Sequence, residues 1–160
     1  MVSITLFVSE RFVRTQSAAT HLRVLRFVSL LALAARVSGA LLVLAAGAMH
    51  LWLYFDYFHR VHVIGVLFVV NAAVAIVIGV TLLLSPHPFA AAAGIAYAVA
   101  TLGSFVLSVY RGLFGYVERL NGPWQAAAGG VELAAIAVLL PLLVASMRSR
   151  MKVRGLQAGF

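Results

Sequence analysis

The sequence predicts an all-α, polytopic membrane protein: a bundle of four transmembrane helices with its N and C termini in the cytoplasm. Three observations point there. The chain is 64% hydrophobic and only 10% charged, with mean hydropathy +1.07 over 160 residues, whereas soluble domains are about 25% charged and 45–50% apolar. Four apolar stretches each reach the roughly 20 residues that carry a helix across a bilayer. The basic residues gather outside the first and last of these stretches.

Residues 1–36 form a basic leader, cytoplasmic or interfacial. Residues 1–20 show no clear pattern and are expected to lack order. The apolar run 27–35, between Arg26 and Arg36, extends the first span inward as a long helix, with the Arg36 side chain reaching back to the headgroups. Ala46-Gly47-Ala48 resembles a signal-peptidase site. The apolar run continues past it to Phe55, however, and the basic part is too long for a signal peptide, so cleavage is not expected.

The spans are read as 37–55, 61–84, 89–110 and 123–146, followed by a basic tail, 147–160. Ser85-Pro86-His87-Pro88 separates the second and third spans, because neither proline continues a helix. Gly122-Pro123 opens the fourth span, with proline near its first helical position. Pro141 is expected to bend the last turns of that helix. Nine basic residues precede the first span or follow the last, against Arg60, Arg111 and Arg119 on the opposite face. That asymmetry is the basis for placing both termini in the cytoplasm. Trp52, Tyr54, Tyr57, Tyr110, Tyr116 and Trp124 mark the outer interface.

The composition excludes several function classes. The chain has no cysteine, so disulfides, thiolate metal sites and cysteine nucleophiles are absent. A net charge of +8 in a soluble protein would raise nucleic acid as a partner. Here the charges flank apolar spans, so anionic lipid headgroups are the partner expected, and nucleic acid is not. The usage, rich in Ala, Val, Leu and Arg with a single lysine, Lys152, fits a multi-pass protein of a bacterial inner (plasma) membrane.

Helices in lipid associate through small residues and polar contacts. Gly39, Val43, Ala46, Gly47 and His50 share one face of the first span. Ala90, Gly94, Tyr97, Thr101, Ser104 and Ser108 line the third, and Gln125, Ala128, Gly129, Glu132 and Ala135 the fourth. Asn71 and Ala75 are the corresponding residues of the second. These stripes are expected to face inward.

Three constellations bear on function. Glu132 is the only acidic residue inside the four spans, and a carboxylate there costs about 2.5–3.5 kcal/mol on insertion scales. By helical rise, Glu132 lies about 13 Å below Pro123, Asn71 about 15 Å below Val61, Thr101 about 13 Å below Tyr110, and His50 about 8 Å below Phe55. His50, Asn71, Thr101, Ser104 and Glu132 therefore compose a candidate polar layer. It reads either as a buried hydrogen-bond knot, with protonated Glu132 bonded to Asn71 or Thr101, or as a proton-handling or ligand site for a quinone or lipid headgroup. A third option turns Glu132 toward a partner subunit. The second constellation is His50, His59 and His62 near Asp56 and Glu118, a candidate set of ligands for a metal or haem. Each histidine also has a plainer role as an interfacial or backbone-bonded residue. The third is the loop 110–119, with two glycines, aromatics and paired charges. It is read as lying on the membrane surface or docking a partner, and not as a nucleotide loop.

The segments His50-Leu51, His62-Val63-Ile64-Gly65-Val66-Leu67-Phe68-Val69-Val70-Asn71 and Gly112-Leu113-Phe114-Gly115 resemble those of small four-helix inner-membrane proteins of actinobacterial type. The layout over about residues 37–146 is similar to DoxX-like membrane proteins. The resemblance implies the four-helix architecture. It implies no particular reaction and assigns no catalytic residue.

The function expected from these readings is that of a non-enzymatic membrane accessory subunit or scaffold, associating with other membrane subunits or with itself. The alternative is an outer-leaflet protein that binds haem, metal, quinone or lipid through His50, His62, Asn71 and Glu132. A small oligomeric transporter is the third option.

Overall fold

In a computed structural model, which describes residues 2–119 and 122–157, the chain forms four helices. They are α1 (Val2–Asp56), α2 (His62–Leu84), α3 (Pro88–Tyr110) and α4 (Pro123–Gln157), with a 3-10 turn, Phe58–Arg60, between the first two. Four segments are long and apolar enough to cross a membrane: Leu22–Asp56, His62–Leu84, Pro88–Tyr110 and Pro123–Met151. The protein is thus an all-helical, multi-pass membrane protein.

The helix boundaries follow local chemistry. Ser85 is extended, at φ −127° and ψ 126°, as a residue before proline prefers, and this ends α2. His87 caps α3 by accepting the Phe89 N–H, and Pro88 occupies the first turn, where its missing N–H costs nothing. Pro141 lies inside α4 without ending it.

The chain divides into two units, Met1–Ala34 and Ala35–Phe160. In the first, α1 begins at Val2, so residues 2–20 fall within a helix. The apolar side chains from Leu22 to Leu33 are exposed around this segment, and the Ser29 hydroxyl donates to the Arg26 carbonyl at 2.8 Å.

The second unit is an antiparallel bundle held by small residues. Leu139 of α4 is fully buried. Its Cδ2 rests where Gly39 of α1 lacks a side chain, and its Cδ1 does the same at Gly94 of α3, beside Leu82 and Ile78 of α2. One leucine thus meets all three other helices. Farther along, Gly47 of α1 sits against the Ala75 methyl and the Ala72 backbone of α2. Ala40, Val43, Ala46, Ala90, Ala98 and Ala135 complete the core. The stripe read on the first span is therefore buried, with His50 at its half-buried edge. Val66, Val77 and Leu84 point outward, where lipid replaces water as their solvent.

The register can be tested at its tightest point. A methyl on Gly47 collides with the Ala75 methyl, which is fixed to the α2 backbone. Gly47→Ala should lower stability by about 1–3 kcal/mol, read by thermal unfolding in mild detergent. Gly103→Ala, with nothing within 4 Å of the added atom, should leave stability unchanged or slightly higher. Equal effects at both positions would refute the α1–α2 contact.

Candidate functional site

The polar layer forms across α2, α3 and α4. The Tyr97 hydroxyl on α3 donates to Asn71 Oδ1 on α2. One turn farther along α3, Thr101 Oγ1 donates to the Tyr97 carbonyl at 2.8 Å and faces the Glu132 side chain on α4. Glu132 is 3% exposed. Of the two partners expected for Glu132, Thr101 is the one in place, while Asn71 is taken by Tyr97.

Two expected members stand outside this knot. Ser104 is exposed, and its hydroxyl donates to the Ala100 carbonyl at 2.8 Å, so it does not belong to the polar layer. Toward the α3–α4 loop a cavity of about 260 Å³ is lined by Phe105, Gly122, Gln125 and Ala126. His50 is turned along its own helix, its Nδ1 donating to the Ala46 carbonyl at 2.8 Å. Its ring lies 5.0 Å from that of Phe68.

The histidine cluster does not assemble. His59 Nδ1 donates to the Tyr54 carbonyl at 3.1 Å, and its Nε2 accepts from Arg60 Nε at 3.2 Å, so neither nitrogen is free for a metal. His62 is exposed at the start of α2. His50 sits nearly two turns before the end of α1 at Asp56, deeper than the turn that holds His59. Among the described residues, no three His, Asp or Glu side chains gather closely enough to hold a metal ion. The reading of His50, His59 and His62 as a metal set is corrected accordingly.

The same end of the bundle is closed by the α3–α4 loop. Leu113 and Tyr116 exchange backbone hydrogen bonds of 2.7 and 2.9 Å around Phe114 at φ 49° and Gly115 at φ 81°. Two consecutive positive φ values define a type I′ hairpin turn, in which glycine meets no steric cost. The Glu118 N–H donates to the Ser108 carbonyl at 3.2 Å and ties the loop to α3. The Glu118 carboxylate accepts from the Arg119 N–H at 3.1 Å and from Gln125 Nε2 at 3.3 Å. Tyr116 packs edge-on against Phe58 at 5.4 Å. Phe58, one of the buried residues, stacks on Phe68 at 4.3 Å, and Trp52 meets Trp124 at 4.6 Å. Tyr116, Phe58, Phe68 and His50 therefore form a continuous run of rings from the loop to the edge of the polar layer. Sequence reasoning missed Tyr97 as the Asn71 donor and Glu118 as the loop's fastening. The stripe through Tyr97 was the available signal for the first. Nothing in the spacing marks the second.

No family model, no curated protein and no solved structure matches this chain.

Two measurements check the site. Tyr97→Phe leaves the Asn71 oxygen without its donor and should cost about 0.6–1.7 kcal/mol of stability in detergent. Ser104→Ala should cost under about 0.5 kcal/mol, because its bond is to its own helix. In the loop, burial, then the Glu118 and Tyr57 charges, and a hydrogen bond to Glu118 push the Tyr116 phenol up to about 12. The folded state thus holds its proton above the unfolded value of about 10. This stabilisation is present below about pH 10 and lost as the pH climbs through about 12. Phenolate absorbance, compared between wild type and Tyr116→Phe, should show that late titration. Glu118→Gln should bring it part of the way back. A Tyr116 that titrates near 10 would disprove the packed loop.

Proposed function

We propose that this protein is a non-enzymatic component of a bacterial inner (plasma) membrane, an accessory subunit or scaffold that packs against a larger complex or a second copy of itself. What carries the reading is how the polar side chains of the spans are used. Tyr97 serves Asn71, Thr101 serves Glu132, and His50 serves a carbonyl of its own helix. The first two tie helices to one another, the third stays on its own helix, and they do not converge on a shared chamber. The loops between spans are short and fastened to the bundle, so the protein offers partners its membrane-facing helices above all.

Orientation belongs to the same proposal. The nine-to-three distribution of Arg and Lys supports a cytoplasmic location for both termini. A reporter fused after Phe160 should be active only if it is of the cytoplasmic kind. Activity from a periplasmic reporter there would reverse the topology.

A second reading has one observation in its favour. The cavity between α3 and α4 is bordered by Gln125, whose Oε1 is buried without a partner. At about 260 Å³ it lies just below the usual size of ligand pockets, ~300–1,000 Å³, which favours a quinone head or lipid headgroup over haem.

Gentle purification from the native membrane separates the two readings. A stoichiometric second polypeptide, or a defined oligomer, is the expected result. Partner-free monomer would sink the subunit reading. A co-purified quinone or lipid that Gln125→Leu removes would put the cavity in its place.

A further inference from the structure

The end of the bundle that holds the α2–α3 turn carries a grouping separate from the polar layer. His87 Nδ1 accepts the Phe89 N–H at 3.2 Å. Its other ring nitrogen, Nε2, lies 3.1 Å from Arg150 Nη1 on α4. These contacts make opposite demands on one ring. With Nδ1 as acceptor, the neutral imidazole carries its proton on Nε2. That N–H then faces a guanidinium, which is always protonated and only donates. Moving the proton to Nδ1 satisfies Arg150 but turns two N–H groups toward each other at Phe89. Protonating both nitrogens leaves neither contact satisfied. A single acceptor placed against Nε2 and Arg150 resolves the conflict without disturbing the α3 cap.

Among the described residues, no carboxylate of this unit lies there to supply that acceptor. Its acids are Asp56 and Glu118, both at the opposite end, and Glu132 within the bundle. The turn end holds Arg36, Arg148, Arg150, Lys152 and Arg154 with no acidic residue. Arg36 reaches this end from α1, one turn before Gly39, and its Nε is buried with no partner. Gly39 and Gly94 share the Leu139 side chain, so α1, α3 and α4 converge just inside it. The buried Arg36 donor left open in this way, together with the mismatch at the exposed His87–Arg150 pair, calls for an acceptor from outside the chain.

We propose that His87 and Arg150, with Arg36 at the same end, bind a phosphate group, carried by an anionic phospholipid headgroup or by a soluble phosphate. Phosphate oxygens accept several hydrogen bonds at once, and the guanidinium fork matches their geometry. A phospholipid carries its phosphate at the depth of the helix ends, where basic side chains attract it.

The test uses the full chain in neutral detergent, with histidine labelled for NMR, at about 150 mM salt to screen diffuse attraction. The probes are dioctanoyl phosphatidylglycerol, inorganic phosphate, and dioctanoylglycerol, which has the same tails and no phosphate. The phospholipid should shift the His87 ring signals and bind on the order of tenfold more tightly than dioctanoylglycerol. Arg150→Gln should weaken it by a similar factor, and Arg154→Gln, an exposed control on the same helix, by less than about twofold. Thermal unfolding of both variants verifies that they fold. If inorganic phosphate saturates the same signals, the ligand is a soluble phosphate; if only the phospholipid does, it is a headgroup. Equal losses in the two variants, equal binding of dioctanoylglycerol, or a His87 ring that answers to none of the probes would overturn the proposal.

Discussion

In a bilayer, an exposed leucine already sits in an apolar solvent, so burying it against another helix gains little of the hydrophobic free energy that folds soluble proteins. Association must come from backbones brought close enough for many weak contacts, and from polar groups that have no other partner. This bundle uses both. Close approach depends on Leu139, whose branches fill the space left by Gly39 and Gly94, and on the contact of Gly47 with Ala75. The polar ties, Tyr97 to Asn71 and Thr101 to Glu132, then fix which helix faces which. A sliding of α3 by one turn would break both ties and lift Gly94 off Leu139.

The two ends of the bundle are finished differently. One is closed by aromatic stacking and by Glu118, which holds the α3–α4 loop through the Arg119 N–H and the Gln125 side chain. A carboxylate accepting several donors suits an interface that is only partly wet, where each unmet N–H is costly. The other end of the second unit has no carboxylate among the described residues and collects donors. The result is a molecule whose charge asymmetry is also an asymmetry of hydrogen-bond supply and demand.

Much of this was legible in the residues, and the gaps have physical causes. The spans and the α2–α3 turn were readable because apolar length and proline act locally. The buried faces of α1 and α4 were readable because small residues recur at helical spacing. Glu132 stood out as the only acid within the spans, and Thr101 and Asn71 were matched to it by depth, since residues at similar depth on neighbouring helices can meet. Depth does not say which neighbour is chosen, so both stayed open as its partner, and Tyr97, though on the stripe, was not matched to Asn71. Ser104 lies on the same stripe as Tyr97 yet is exposed, because periodicity alone does not report where along a stripe the neighbouring helix covers it. The histidines were grouped by their distance from Asp56 along the chain. That count is blind to the Tyr54 and Ala46 carbonyls that claim their nitrogens. The helix over residues 2–20 could not be read because their polar and apolar residues follow no clear repeat.

The brevity of the α2–α3 turn has a consequence for biogenesis. Only Ser85, Pro86 and His87 separate two helices of 23 residues each, too few to let one settle in the bilayer while the other waits outside it. The pair enters as a hairpin, and it carries both halves of the Tyr97–Asn71 bond with it. The amide therefore crosses the insertion machinery with its partner already attached to the same hairpin. Glu132 arrives last in synthesis, when Thr101 is already in place to receive it. The order of the polar residues along the chain thus matches the order in which the membrane would penalise them.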